Sequence, residues 1–327
     1  KTVLVIGGSF AGYQTAKRLS ETLPTGYKVV LVERNSHLHY VFVFPRFSVV
    51  SGKEQYVFIP YTGLVRGAPE GIIKVVTDEV VRMSDGFVEL KNGGKLWFEY
   101  LVFATGTTAA LPGKVAATER EGGVKELRDM QERIERATRI AVVGGGTVGV
   151  EVASDIKDFW KEKDVTLVHS RARLLTRFGE GLSGYVVKRL EEMGVEVRLS
   201  ERPDMEVEAG VLRFASREED EYDLIIPCTG QRPNSSILSA LSPFSISKEN
   251  SQVVVKPSLQ IIDGRFPHVF ALGDVTATGG PKMARSALFQ AEVVVKNILS
   301  LIKGTSKLEA YKPNFLLEGA IKLTREW

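Results

Sequence analysis

The chain has 327 residues, of which 43% are hydrophobic and 25% charged, and its formal net charge is +3 at pH 7. This length is enough for two domains with separate cores, and the composition is ordinary for a globular protein. So small a net charge gives no reason to expect nucleic-acid binding or strong attraction to a membrane. The single cysteine, Cys228, excludes an intramolecular disulfide and a redox-active cysteine pair, so any redox chemistry needs a bound cofactor.

Targeting signals are not evident in the sequence. No apolar run approaches the roughly 20 residues that span a bilayer. Strand-like residues start at Lys1, so we expect no signal peptide, although the chain does not begin with Met. The lack of a cysteine pair agrees with a reducing compartment. We therefore expect a cytoplasmic protein, or one that associates peripherally with an intracellular membrane.

The first predicted elements are a strand, a glycine turn, a helix and a second strand. Residues 2–6 form a short apolar run, and a helical pattern follows from Ala11 to Leu23. Residues 28–32 form a second apolar run, which ends at Glu33. This order of elements predicts a βαβ unit.

The glycine turn of this unit reads Gly7-Gly8-Ser9-Phe10-Ala11-Gly12. The dinucleotide-binding fingerprint expects glycine at the first, third and sixth places, and Ser9 is a departure, although serine is the mildest enlargement available. The following helix offers N–H groups and a positive dipole end to a phosphate. Glu33, about 20 residues further on, is placed to accept hydrogen bonds from a ribose. In this context the loop predicts dinucleotide binding rather than a plain turn.

An aromatic segment follows, with Tyr40, Phe42, Phe44 and Phe47. These side chains are predicted to belong to the core rather than to line a cofactor. Within the segment, Arg46 is either a surface cation or a contact to a cofactor phosphate. His37 and His39 have no acids nearby in the sequence, which argues against a metal site, and none is predicted.

The stretch before the second half of the chain contains weaker strands. Val75–Val81 and Phe87–Leu90 are each predicted to form one strand. Residues 100–104 form a buried strand that leads into Thr105-Gly106. Glu119–Arg139 is highly charged with scattered apolar positions, which predicts a surface helix leading into a second domain.

The same order of elements then returns. The apolar run 139–143 leads into Gly144-Gly145-Gly146-Thr147-Val148-Gly149, which matches the fingerprint in full. A helical stretch extends from Val148 to about Trp160, and residues 164–168 form the next strand. Two copies in one chain indicate an internal duplication of a dinucleotide-binding unit.

The second copy differs at the end of its second strand. His169 and Arg171 stand there, with Arg173 nearby, and no acid occupies the place of a ribose-binding carboxylate. A carboxylate would repel a 2′-phosphate, whereas arginines favour one, so this site is predicted to tolerate NADPH. The same arginines could equally be solvated surface charges. Glu151, on the helix two residues after the loop, is either a surface charge or a residue of the nicotinamide pocket.

A third candidate element follows in the last part of the chain. Residues 223–228 form a strand that runs into Thr229-Gly230, and residues 269–274 form another that ends in Gly273-Asp274. A carboxylate there can bind a hydroxyl group of a polyol such as ribitol, or it can be a simple turn aspartate. A helix predicted from about Lys282 to Lys303 would direct its positive end toward a flavin ring.

Taken in order, these motifs resemble the flavoproteins with two dinucleotide-binding domains, the pyridine nucleotide-disulfide oxidoreductase superfamily. Within it, the chain is similar to the apoptosis-inducing-factor-like and ferroptosis-suppressor-like branch. The matching stretches run in the family's order over nearly the whole chain: VLVIGGSFAG (3–12), PRFSVVSG (45–52), LVFATGTTAALPG (101–113), IAVVGGGTVGVEVASDIK (140–157), VTLVHS (165–170), LIIPCTGQRPNSS (224–236), VFALGDV (269–275), PKMA (281–284) and AYKP (310–313).

The resemblance implies an α/β fold with two Rossmann-like domains of the glutathione-reductase type, the second inserted into the first. The FAD-binding domain would comprise residues 1–112 and 253–304. The NAD(P)H-binding domain would comprise residues 113–252, and a short C-terminal segment 305–327 would follow.

The resemblance also assigns residues to the two cofactors. FAD would be lined by Gly7, Gly8, Ser9, Phe10, Ala11, Gly12, Glu33, Arg34, Arg46, Val80, Thr105, Gly106, Asp274, Lys282, Met283 and Ala284. The nicotinamide nucleotide would be lined by Gly144, Gly146, Thr147, Val148, Gly149, Glu151, His169 and Gly230. Glu151, which would position the nicotinamide, and Lys282, at the flavin ring, are the candidate catalytic residues.

By the same resemblance, the protein would be an enzyme that passes electrons from NADH or NADPH through FAD to an acceptor. Disulfide-reducing relatives carry a cysteine pair that this chain lacks, so a quinone-like small molecule is the predicted acceptor. The alternatives left open are a reductase of a small electron-transfer protein, a redox-sensing flavoprotein and a tailoring oxidase. Peripheral membrane association and a monomeric or homodimeric state are expected. The chain ends soon after residues 310–313, where relatives continue, which leaves the acceptor and the oligomeric state open.

Overall fold

The computed structural model describes residues 1–216, 219–280 and 282–314. Its strands are β1 (Thr2–Ile6), β2 (Lys28–Glu33), β3 (His37–His39), β4 (Phe58–Pro60), β5 (Ile73–Thr77), β6 (Val80–Ser84), β7 (Phe87–Leu90), β8 (Lys95–Trp97), β9 (Tyr100–Phe103), β10 (Thr107–Thr108), β11 (Arg139–Val143), β12 (Asp164–His169), β13 (Val195–Leu199), β14 (Asp204–Glu206), β15 (Val211–Arg213), β16 (Glu219–Glu221), β17 (Leu224–Pro227), β18 (Arg232–Pro233) and β19 (Val269–Ala271).

Five long helices alternate with these strands, and two shorter ones complete the set. They are α1 (Phe10–Thr22), α2 (Phe44–Phe47), α3 (Thr62–Arg66), α4 (Arg120–Arg136), α5 (Thr147–Phe159), α6 (Glu180–Glu192) and α7 (Ala284–Ile302). Single 3₁₀ turns lie at Val41–Val43, Glu54–Val57, Ser236–Ala240 and Pro243–Ser245. Along the described stretches, every helix is too short or too polar to cross a bilayer.

The chain forms two compact units. The first comprises residues 1–39 and 59–108 and resumes at residue 232. The second comprises residues 40–58 and 109–231. Each unit has its own parallel sheet and its own hydrophobic core.

The sheet of the first unit has the strand order β19-β9-β1-β2-β5, and all its neighbours are parallel. Strand β1 reads as a nearly continuous apolar run because both of its faces are covered, as is usual in parallel sheets. On one face lie α1 and α7, whose buried side chains include Leu19, Ala291 and Ile298. On the other face lie the three antiparallel strands β6, β7 and β8, with Met83 and Val88 in that core.

The second unit repeats this arrangement with the strand order β13-β12-β11-β17, again all parallel. In each unit, the strand before the glycine turn lies between the next strand of its βαβ unit and the later strand that leads into Thr-Gly: β2 and β9 flank β1, and β12 and β17 flank β11. The predicted α/β class with two Rossmann-like sheets is confirmed.

The prediction of one strand over Val75–Val81 is wrong. Strand β5 ends at Thr77, where the Asp78 carboxylate accepts the Glu79 N–H (2.7 Å), although the Asp78 N–H still donates to the Glu33 carbonyl of β2 (3.0 Å). The chain turns there, and β6 pairs with β7 in a separate antiparallel sheet. Aspartate bonds readily to nearby backbone N–H groups, so Asp78 was the local signal for a turn.

The aromatic segment belongs to the second unit. Phe44 is fully buried with Val57, Phe58 and Leu127, and Phe47 packs at the edge of this cluster. Tyr40 and Phe42, by contrast, are about two-fifths exposed, at 38% and 41%. The core prediction is therefore correct for Phe44 and Phe47 and wrong for Tyr40 and Phe42.

Candidate functional site

The first glycine loop joins β1 to α1. Gly7 has a φ of +97°, which favours glycine, and a Cβ at this position would collide with the Ala104 backbone. A Cβ on Gly12 would overlap the carbonyl oxygen of Gly7. Both glycines are therefore required by the close packing of the helix start against β1 and β9.

The second glycine loop has the same contacts. Gly144 has a φ of +129°, and a Cβ there would collide with the Cys228 carbonyl. A Cβ on Gly149 would overlap the Gly144 carbonyl oxygen, just as a Cβ on Gly12 would overlap the Gly7 carbonyl oxygen. Because the same two steric needs recur after β11, the loops are structural equivalents.

The third position of each loop is exposed, and its surroundings fit a phosphate. Ser9 and Gly146 both have extended backbone, with φ/ψ of −77°/−167° and −82°/−174°. No side chain caps either following helix, and a Cβ on Gly146 would meet nothing within 4 Å. The first N–H groups of α1 and α5 have no partner within their helices, so each loop presents donors and open space to an anion.

Glu33 ends β2 beside the first loop. Its carboxylate accepts the Gly8 N–H and, at 2.9 Å, the Asn35 N–H, and the residue is buried. Burial raises the pKa of Glu33 above its ordinary value, and these two backbone donors offset part of that rise. The carboxylate is thus fixed at the loop, in the position predicted for a ribose-binding group.

Tyr61 was not anticipated from the sequence. Its hydroxyl donates to the Gly8 carbonyl at 3.0 Å, and the residue is buried against the loop. A Cβ on Gly8 would collide with this hydroxyl, so glycine at position 8 is what allows Tyr61 to lie against the loop backbone. Burial, with the neighbouring Glu33 carboxylate, raises the pKa of Tyr61 far above its ordinary value, so the hydroxyl stays a donor.

His169 occupies the equivalent place at the end of β12. Its Nδ1 accepts the Gly145 N–H at 3.0 Å, just as Glu33 accepts the Gly8 N–H. Burial, and then the Arg171 charge, lower the pKa of His169, which favours the neutral ring. With Nδ1 accepting, the proton is on Nε2. Within the described residues this buried Nε2 has no partner.

Thr105 and Gly106 follow β9 and are held by a residue that sequence reasoning missed. The Thr105 hydroxyl donates to the Asn234 carbonyl at 2.6 Å, and the Asn234 amide donates back to the Thr105 carbonyl at 2.9 Å. The Asn234 N–H also donates to the Gly106 carbonyl at 2.9 Å. Asn234 therefore fixes this loop beside the carboxyl ends of β1 and β9.

Gly273 and Asp274 follow β19, beside the start of α7. The Gly273 N–H donates to the Gln290 side chain at 2.7 Å, which ties this turn to the helix. Lys282 lies two residues before α7 and donates through Nζ to the Thr276 carbonyl. Met283 is the N-cap of α7, and Ala284 is its first residue.

Two buried hydroxyls lie in the same region. Within the described chain, Thr278 Oγ1 and Ser286 Oγ are buried without hydrogen-bond partners. Buried hydroxyls without partners are uncommon and call for an explanation such as a bound group. Together with the uncapped start of α7, they fit a polar cofactor that binds here.

The remaining predicted residues are distributed over both units. Val80 is buried in the core at the start of β6, and Arg34 is exposed at the end of β2. Gly230 is exposed after β17, and Glu151 is half-buried on α5. Thr147 and Val148 begin α5. Among the described residues, no cluster of three or more His, Cys, Asp or Glu side chains is placed to hold a metal.

Arg46 lies in α2, in the second unit rather than in the first. Its guanidinium donates to the Asp155 carboxylate of α5. The two side chains are 19% and 8% exposed. Arg46 is therefore one half of a largely buried ion pair beside the second glycine loop's helix.

Cys228 packs its Cβ against the positions of Gly144 and Gly149. Burial of the thiol raises the pKa of Cys228 to about 12. At about pH 8, such a thiol is roughly 0.01% thiolate, and the thiolate is the reactive form.

We expect folded protein to react with iodoacetamide about 1,000 times more slowly than free cysteine and to react at the ordinary rate after unfolding in urea. Mass spectrometry of timed samples measures this, and rapid labelling of the folded protein would contradict it.

A family model described as pyridine nucleotide-disulphide oxidoreductase matches residues 1–291. The chain is 38% identical to Fe-regulated protein 8 of Mycosarcoma maydis, over 96% of this chain and 84% of that protein. It is 31% identical to ferroptosis suppressor protein 1 of Mus musculus, with the same two coverages.

Among solved structures, the sulfide:quinone oxidoreductase of the hyperthermophilic bacterium Aquifex aeolicus superimposes with a TM-score of 0.77. The match covers 94% of this chain and 78% of that one at 19% sequence identity. At this identity, the likeness concerns the fold.

Proposed function

The chain belongs to the pyridine nucleotide-disulphide oxidoreductase family, and on that premise we propose that it passes electrons from NADH or NADPH, through bound FAD, to a quinone-like acceptor. As a member of this family it is an oxidoreductase that uses FAD and a pyridine nucleotide. We further assign each nucleotide to one of the two units and the acceptor to the quinone class.

The observation that carries the assignment is the difference between Glu33 and His169. Both side chains accept the N–H of the second glycine of their loop. Glu33 presents a fixed carboxylate, which suits the ribose hydroxyls of FAD and would repel a 2′-phosphate. His169 is a neutral ring that repels no phosphate, and the Arg171 charge acts on it, which suits NADH and NADPH alike. FAD is therefore assigned to the first unit and NAD(P)H to the second.

The roles of the chain's residues follow from this assignment. The N–H groups at the starts of α1 and α5 bind the two pyrophosphates. Asp274 binds the ribityl chain, while Lys282 and the start of α7 place positive charge at the flavin ring. Glu151, one turn into α5, positions the nicotinamide. FAD, when bound, supplies two-electron chemistry that no side chain of this chain provides.

The cysteine count supports a diffusible acceptor. Cys228 is the single cysteine of the chain and its thiol stays protonated, so electrons cannot pass to a cysteine pair. An acceptor must then reach the reduced cofactor directly. A quinone satisfies this requirement because it takes up two electrons as a small, planar molecule.

The test is anaerobic reduction by NADPH followed by reoxidation with matched acceptors. The flavin absorption band should be lost on adding NADPH and should return within the mixing time on adding a water-soluble benzoquinone or naphthoquinone. Ferredoxin and rubredoxin serve as comparison acceptors, and buffer alone as the blank. Reoxidation by quinones no faster than the blank would exclude the quinone assignment, and rapid reoxidation by an iron–sulfur protein would replace it with a protein acceptor.

A further inference from the structure

The segment after β12 is fixed against the second glycine loop. The Leu175 N–H donates to the Gly145 carbonyl at 2.9 Å, and Leu174 is fully buried beside Gly145. The Arg171 carbonyl accepts the Ser200 N–H at 3.0 Å. The backbone on both sides of Arg173 is thus fixed by hydrogen bonds, so the Cα atoms of this segment have defined positions near His169.

Two arginines of this segment, Arg171 and Arg173, have different electrostatic partners. Arg171 donates through Nη1 to the Thr176 hydroxyl at 2.7 Å, and this neutral partner orients the guanidinium without neutralising its charge. Arg173 Nη1 lies 3.0 Å from the Glu180 carboxylate. Glu180 is the first residue of α6 and is itself largely exposed. Among the described residues, Arg171 therefore keeps a charge that a phosphate can bind, whereas Arg173 is already paired.

We propose that Glu180 influences the coenzyme selectivity of the second site. Arg171 binds the 2′-phosphate of NADPH, and Glu180, by pairing with Arg173, keeps the Arg173 guanidinium from that phosphate. The proposal rests on the assignment of NAD(P)H to the second unit. Glu180 was not among the residues expected to contact a nucleotide, and in this account it touches none. It acts through Arg173 and is a positioning residue.

The strength of the Arg173–Glu180 pair limits the size of the effect. The pair is exposed, and exposed ion pairs contribute little, so releasing Arg173 should change the affinity for NADP⁺ only a few-fold. Removing the carboxylate without changing the side-chain shape should release Arg173 fully. NADH has no 2′-phosphate, so its affinity should respond only to the general loss of one negative charge.

The test is calorimetric titration of the flavin-loaded protein with NADP⁺ and with NAD⁺, compared as a ratio of dissociation constants. Glu180→Gln should shift this ratio about threefold toward NADP⁺. Arg171→Ala should shift it about tenfold or more toward NAD⁺, because it removes a charge-assisted contact. Glu192→Gln, which removes an exposed, paired carboxylate from the other end of α6, should leave the ratio unchanged.

Arg173→Met distinguishes release of Arg173 from a general change in field. The substitution should have little effect in the wild type, where Arg173 is paired, and should abolish the gain in the Glu180→Gln background. A gain that persists in Glu180→Gln/Arg173→Met would overturn the proposal, and so would an unchanged ratio in Glu180→Gln. A wild-type protein that binds neither nucleotide would instead refute the assignment of the second site.

Discussion

Gly146→Glu is expected to lower kcat/KM for both NADH and NADPH by about 100-fold, the loss of roughly two charge-assisted hydrogen bonds. Gly146 has extended backbone that any residue adopts, and a side chain there meets nothing within 4 Å. The protein should therefore fold normally. The new carboxylate would occupy the anion position at the start of α5, where the helix dipole stabilises it and a pyrophosphate would be repelled.

Flavin content and thermal stability are the readouts that separate this result from misfolding, and both should match the wild type. Gly146→Ser is the matched mild change, because Ser9 occupies the equivalent place in the first loop with nearly the same backbone angles. It should keep activity within about tenfold of the wild type. Gly184→Glu adds the same charge at another unobstructed glycine, in α6, and should be silent. Full NADH activity in Gly146→Glu would rule out nucleotide binding at the second loop.

Arg46→Ala is expected to reduce the free energy of unfolding by about 3 kcal/mol, because it removes the guanidinium that compensates the charge of the buried Asp155 carboxylate. Replacing the pair by apolar residues, as Arg46→Met/Asp155→Leu, should restore stability to within about 1 kcal/mol of the wild type, since isolated buried charge rather than the lost pair causes most of the cost. Urea denaturation followed by circular dichroism measures both variants.

The same variants decide between the two sequence-based interpretations of Arg46. A structural ion pair predicts that flavin content, measured by absorption after purification, is normal in the double variant. A contact to an FAD phosphate predicts loss of flavin in both variants with little change in the stability of the apoprotein. Arg66→Ala, which removes an exposed arginine of α3 in the first unit, is the control and should change neither quantity by a measurable amount.

The features that the sequence predicted well are those with strict local requirements. Gly7 and Gly12, and likewise Gly144 and Gly149, are sites where a Cβ would overlap backbone, so the spacing of the fingerprint follows directly from the fold. The helices that follow both loops begin within one residue of the predicted start. The steric requirement involves residues within one six-residue loop, so the local sequence is enough to predict it.

The features that escaped prediction depend on tertiary contacts between distant residues. Tyr61 holds Gly8 across 53 positions, and Asn234 holds Thr105 across 129. Tyrosine and asparagine carry no local signature of such roles. The hydrophobic pattern also cannot tell which aromatic residues face solvent, which is why Tyr40 and Phe42 were wrongly placed in the core.

The measurement that tests the account most directly is the visible spectrum of the purified protein during anaerobic titration with NADPH. We expect a yellow protein with one flavin per chain, bleached completely by one equivalent of NADPH, and the same yellow colour without rapid bleaching in Gly146→Glu. A protein that is colourless as purified and takes up no flavin from solution would contradict the account.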